Sequence, residues 1–137
     1  MDRRQFVITL AAATFAGPAL AANGMTYKKG LVEKELAAGN TVFIDFYTDW
    51  CTTCKAQGTK IRKLLKANPD YEKHVTFIKV DWDQHSNSQL AKRLNIPRRS
   101  TLVALKGDKE LGRIVAGTST KDIKALMDTA LAAGKSA

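Results

Sequence analysis

Only two cysteines and two histidines occur in these 137 residues, and that scarcity narrows the chemistry. Two thiols are too few for a disulfide framework, so their reactivity rather than cross-linking accounts for them. A structural zinc site takes four ligands, often two Cys-x-x-Cys pairs or added histidines. Here a single pair stands in Cys51-Thr52-Thr53-Cys54, with His74 and His85 well away along the chain. Covalent haem attachment needs Cys-x-x-Cys-His, and position 55 is lysine. A static disulfide between residues so close would seal a tiny loop and stabilise little. A copper-carrying Cys-x-x-Cys stays open beside a redox dithiol. Internal repeats, linkers and low-complexity tracts are missing. With 45% apolar residues the chain has material for one core, which excludes the disordered and fibrous classes, and its length fits one domain.

Acidic residues are in deficit: 13 against 22 basic, a net charge of +9. Yet no basic run with interleaved aromatics marks a nucleic-acid surface. The positive charge is spread over predicted helices and loops, as a solvated surface or as a field that steers an acidic partner. Long apolar runs are scarcer still. The single one, FVITLAAATFA at residues 6–16, is too short to span a bilayer, which takes about 20 residues. It follows the charged start MDRR, is broken by Gly17-Pro18, and leads into Ala19-Leu20-Ala21, which reads as a small-residue cleavage site. Residues 1–22 are therefore expected to be an export signal, cleaved near Ala21 or Ala22. Residues 23–137 are expected to form one soluble domain in the periplasm or outside the cell. A buried N-terminal helix is the competing expectation, and it lacks an amphipathic period. Arg3-Arg4-Gln5-Phe6 is similar to the twin-arginine export motif, and the choice between that route and the general secretory one stays open.

Periodicity predicts the elements of the domain. Tyr27 to Ala38 reads as a helix stopped by Gly39. Thr41 to Tyr47 (TVFIDFY) reads as a central strand, apolar on both faces except for Asp45 in its middle. A helix runs from the cysteines to about Ala67, with Ile61, Leu64 and Leu65 at helical spacing and Asn68-Pro69-Asp70 as its end. His74 to Asp81 is a second central strand, Ser88 to Leu94 a short helix, and Thr101 to Leu105 a third strand. A turn at Lys106-Gly107-Asp108 leads into a fourth strand, Leu111 to Val115. Ser119 or Thr120 caps a last helix with an apolar stripe of Ile123, Leu126, Met127, Ala130 and Leu131. The order α-β-α-β-α-β-β-α predicts parallel crossovers with an antiparallel hairpin at the edge, a mixed sheet covered on both faces.

The cysteines thus fall where a strand ends and a helix begins. Unsatisfied N–H groups and the positive end of the helix dipole stabilise a thiolate there. Cys51 is expected to be the exposed nucleophile with a lowered pKa. Cys54, one turn on, is placed to attack the mixed disulfide and release the substrate. The hydroxyls of Thr52 and Thr53 are candidate hydrogen-bond donors to a thiolate.

VFIDFYTDWCTTCK resembles the active-site segment of the thioredoxin superfamily, in which an apolar strand with an internal Asp runs into Trp-Cys-x-x-Cys-Lys. The Asp-Phe-Tyr-x-Asp-Trp-Cys pattern is most similar to the C-terminal domain of the periplasmic reductase DsbD and to small exported thioredoxins. The resemblance covers the whole domain and implies an α/β thioredoxin-like fold, with a mixed sheet of about four strands. It implies a redox-active Cys51–Cys54 disulfide, and neither cofactor nor metal. It places Asp45 as the buried carboxylate that takes the Cys54 proton, the alternative being a solvent-facing strand Asp, and Lys79 as the partner of that Asp. Trp50 falls on the active-site rim, the alternative being a core aromatic. Arg99, Ser100 and Thr101 fall on the loop that meets an extended substrate, where Arg98 and Arg99 also favour a thiolate and an acidic partner. The implied partners are periplasmic protein disulfides, including apocytochromes, and a membrane electron donor of the DsbD or CcdA type. No interface stripe is visible in the sequence, so a monomer is expected. Two departures stand out. Thr52-Thr53 replaces the usual Gly-Pro. The family's cis-proline before the third strand is absent, leaving either Ser100 in its place with a trans peptide or Pro97 in a re-threaded loop.

Overall fold

The computed structural model describes residues 24–136; the expected export signal lies outside them. The apolar run Thr41–Tyr47 forms β2 at the centre of a five-stranded sheet. On one side it pairs with β3 (Val75–Asp81), which pairs in turn with β1 (Met25–Thr26). On the other it pairs with β4 (Thr101–Lys106), and β5 (Lys109–Val115) closes that edge. The helices are α1 (Leu31–Ala37), α2 (Thr52–Ala67), α3 (Asp70–His74), α4 (Trp82–His85), α5 (Gln89–Leu94) and α6 (Thr120–Lys135).

Strand direction follows from helix length. The 16 residues of α2 carry the chain about 24 Å, against about 23 Å for a seven-residue strand. So α2 returns the chain to the far end of the sheet, and β3 runs parallel to β2. The six residues of α5 cover only about 9 Å. The chain therefore re-enters the sheet at the end it left, with Thr101 opposite Phe46, and β4 runs antiparallel to β2. The parallel crossover expected for that strand is corrected by this short return.

The predicted first helix also starts later. Tyr27 is buried and its N–H donates to the Lys79 carbonyl at 2.9 Å, extending the β1 pairing, and α1 begins only after Gly30, whose φ is +89°. The two-residue β1 is the fifth strand, too short to show a period. The third prediction to shift is the hairpin strand, which starts at Lys109 rather than Leu111. Two one-turn helices, α3 and α4, were not foreseen.

Alternation along β2 divides the core. Val42, Ile44 and Phe46 pack with Val32, Leu90 and Ala91 under α1 and α5. Phe43 packs with Ile61, Leu65, Ile123 and Met127 under α2 and α6. Asp45 has the parity of Phe43 and so faces the α2 side.

Candidate active site

The site is built where β2 ends and α2 starts. Cys51 is the N-cap residue of α2, and its sulfur accepts the Cys54 N–H at 3.1 Å. No acidic residue occupies the first turn, so nothing there competes with a thiolate for the helix dipole. The third contributor is the start of β4, which sets Ser100 against the cysteines. Its Oγ lies 3.1 Å from Cys51 Sγ and 3.1 Å from Cys54 Sγ.

Both thiols are free and buried, Cys51 at 4% exposure and Cys54 at 5%. The expectation that Cys51 alone is exposed is therefore corrected, because the Ser100 segment closes over both sulfurs. What separates them is charge. Burial opposes ionisation of Cys51, but hydrogen bonds from the Cys54 thiol, Ser100 and the Cys54 N–H, with the Arg99 side chain, outweigh it and lower the thiol to about 7. Burial pushes the Cys54 thiol up, and its hydrogen bond to Cys51 pushes the same way. The donors expected from Thr52 and Thr53 do not appear: among the described residues neither hydroxyl reaches a sulfur, and Ser100 supplies that contact.

Ser100, not the exposed Pro97, faces the cysteines. No cis peptide bond occurs among the described residues, and Ser100 has φ +65°. A left-handed non-glycine residue costs on the order of 1–3 kcal/mol and persists only where its surroundings over-determine it. Here they do. The Ser100 N–H donates to the Phe46 carbonyl at 2.7 Å, and its own carbonyl accepts the Ala116 N–H at 2.8 Å and Gln57 Nε2 at 3.0 Å.

Gln57 is a functional residue that sequence reasoning missed. Fully buried on α2, it also donates to the Gly117 carbonyl at 2.9 Å, tying the helix to both loops beneath the thiols. A signal existed: Cys54, Gln57, Ile61 and Leu65 form the buried stripe of α2, and a glutamine within such a stripe needs a partner.

Asp45 is 8% exposed, and its Oδ1 has no hydrogen-bond partner. Burial raises its pKa to about 6, with Lys79 and Arg62 pulling the other way. A cavity of about 130 Å³ adjoins both Asp45 and Cys54, lined also by Lys55, Arg62 and Lys79. Lys79 is the register partner of Asp45, but no ion pair within 4.0 Å joins them among the described residues. Its Nζ instead sits 4.4 Å from the centre of the Tyr47 ring. Lys79 therefore acts on Asp45 through space.

Trp50 is on the rim and not in the core, 58% exposed. Its Nε1 donates to Asp83 at 2.8 Å, and the Arg99 guanidinium lies 4.3 Å from the ring centre. The predicted contact residue Thr101 is fully buried; its hydroxyl donates to the Arg98 carbonyl at 2.7 Å and closes the turn before β4. Thr101 and Ser100 offer a substrate no accessible side chain, and the surface beside them is formed by Arg99 of this loop together with Trp50 of the loop between β2 and α2.

Residues 24–129 match the family model described as Thioredoxin. The chain belongs to the thioredoxin family. It is 33% identical over 85 residues to mitochondrial thioredoxin-3 of Saccharomyces cerevisiae, covering 62% of each chain. It is 32% identical over 111 residues to thioredoxin 2 of Plasmodium falciparum, covering 80% of this chain and 64% of that one. The chain thus spans somewhat under two thirds of the length of these curated relatives. Among solved structures, thioredoxin f from spinach chloroplast superposes with a TM-score of 0.63 at 27% identity, over 80% of this chain and 87% of its own. Yeast mitochondrial thioredoxin 3, in its oxidised form, superposes at 0.62 and 25% identity, over 79% and 99%. The Cys-x-x-Cys dithiol, Asp45 on β2 and Ser100 before β4 all lie within the matched residues.

Proposed function

We propose that the protein is a thiol–disulfide oxidoreductase working as a reductase of protein disulfides. The observation that carries this reading is a buried dithiol at the start of α2, with the Cys51 sulfur accepting the Cys54 N–H and both sulfurs 3.1 Å from Ser100 Oγ, an arrangement that lowers the Cys51 thiol to about 7 and raises that of Cys54. A nucleophile with a pKa near ambient pH attacks fastest, while a protonated neighbour waits. The Cys51 thiolate attacks a substrate disulfide and expels one substrate thiolate. Cys54, its proton taken up by Asp45 through the adjoining cavity, then displaces the second, and a Cys51–Cys54 disulfide remains. Asp45 is at the right end of its range for this task, since a carboxylate of pKa about 6 accepts a proton near neutral pH.

The finer reading is a periplasmic protein, exported by residues 1–22 and re-reduced by a membrane conduit of the DsbD or CcdA type, with clients that include apocytochromes. Supporting it are the FVITLAAATFA run before Ala19-Leu20-Ala21 and the Asp-Phe-Tyr-x-Asp-Trp-Cys pattern. A reduction potential near the thioredoxin value of about −270 mV is expected, and one near the DsbA value of about −120 mV would sink the reductase reading in favour of an oxidase. Exported protein whose N-terminus is Met1 would refute cleavage. Cys54→Ala, expressed in the native host, should trap clients and electron donor on Cys51.

A further inference from the structure

A serine hydroxyl has one proton to donate and two lone pairs. Ser100 Oγ lies 3.1 Å from each sulfur of the dithiol, so its one O–H can point at either sulfur while a lone pair faces the other. It has no other hydrogen-bond partner among the described residues. The residue is fully buried, and hydrogen bonds to Phe46, Ala116 and Gln57 hold its left-handed backbone from both sides. Such outliers persist at sites where strain serves a purpose. Meanwhile disulfide exchange moves negative charge between these same two atoms. Cys51 carries it in the reduced protein. Cys54 carries it when it attacks the mixed disulfide, and again when it leaves during re-reduction.

We propose that Ser100 is a catalytic residue of the exchange, a single shared donor whose O–H turns toward whichever of the two sulfurs is negative. The idea rests on the redox reading above and assigns a group to both of its half-reactions. In the reduced protein Ser100 O–H donates to the Cys51 thiolate, and the one Cys54 S–H proton lies between the Cys51 sulfur and Ser100 Oγ. Once Cys51 is bonded to a substrate sulfur it is neutral and needs no donor. Cys54 then gives its proton to the Asp45 carboxylate through the adjoining cavity, and Ser100 O–H swings to the new thiolate. The Cys54 electron pair forms the Cys51–Cys54 bond, the bond from Cys51 to the substrate sulfur breaks, and that sulfur departs as a thiolate. The dithiol loses two electrons, the substrate disulfide gains two, and the serine begins and ends as a hydroxyl. A fixed donor in a water-excluded site stabilises developing charge more effectively than solvent does. A proline at this position would have no proton to offer.

Ser100→Gly and Ser100→Ala in the full chain test this. Glycine takes up φ +65° without strain and alanine keeps the Cβ, so the pair brackets the backbone while both lose the hydroxyl. Thiolate absorbance against pH reads Cys51. The two-phase release of aryl thiolate from excess aromatic disulfide reads attack by Cys51 and then resolution by Cys54. In both variants the Cys51 midpoint should rise by about one pH unit, the size of a lost hydrogen bond to a charged group. The second phase at neutral pH should slow about tenfold. Midpoints that overlay the wild type overturn the proposal. So does an unchanged second phase, because the hydroxyl would then serve one sulfur alone, and so do effects confined to one variant. Wild-type protein that cannot reduce a protein disulfide would sink the reductase reading, and the titration would still report on Ser100.

Discussion

Replacing Asp45 by asparagine should make the protein more stable and a poorer catalyst, with the stability gain confined to a defined pH range. The side chain is buried on the α2 face of β2, its Oδ1 has no partner, and burial lifts its pKa from 3.8 to about 6 against the pull of Lys79 and Arg62. The folded state therefore holds this proton more tightly than the unfolded chain. Between those two values the native state binds more protons, so stability falls as pH rises, and above about pH 6 the whole cost of a buried carboxylate is present. Roughly two pKa units correspond to about 3 kcal/mol. For a domain of this size that is on the order of 10 °C in Tm. Asparagine has nearly the shape of the protonated acid, so wild type and Asp45→Asn should unfold alike at pH 3–4 and diverge by that amount at pH 8. Urea unfolding of both proteins across pH measures the divergence directly. Parallel stability curves would refute the reasoning, since they would mean that Asp45 ionises at no cost in the fold. On the chemical side, loss of the carboxylate should slow resolution by Cys54 and leave the first attack by Cys51 little changed.

Gln57→Ala removes the donors to the Ser100 and Gly117 carbonyls and leaves a hole under the thiols, so denaturation should show a loss of about 2–4 kcal/mol, accompanied by a higher Cys51 midpoint. Trp50→Ala should change stability by less than about 1 kcal/mol, because the ring is mostly exposed; KM for a protein disulfide should rise while turnover of a small disulfide stays level. Alkylation of reduced protein by iodoacetamide should rise with a midpoint near pH 7 and modify Cys51 before Cys54, as peptide mapping would show. Because the Cys51 pKa is depressed on folding, its thiolate adds stability to the reduced form above about pH 9, and that contribution fades as pH falls through about 7.

Local pattern carried much of this protein. TVFIDFY declared a strand buried on both faces because its apolar residues do not alternate, and it lies at the centre of the sheet. The position of TDWCTTCK between that strand and an apolar helical stripe placed a dithiol at a helix N-terminus, which is local chain geometry. The same reasoning failed where the signal was short or distant. Two-residue β1 has no period to read, and Tyr27 is held extended by pairing with β3 rather than by any preference of YKKG. The direction of β4 depended on how far α5 could carry the chain.

The site divides in the same way. Sequence alone determined that the dithiol stands at the start of α2, that Cys54 follows Cys51 one turn later and that Asp45 interrupts an apolar strand, because each rests on neighbours within a few residues. Tertiary structure decided what those groups meet. Gln57 lies 43 residues from Ser100 and Cys51 lies 49 residues from it, and no local rule pairs residues so far apart. Only the packing of α2 against the start of β4 sets one hydroxyl at equal reach of both sulfurs, and only that packing buries the thiol expected to be exposed.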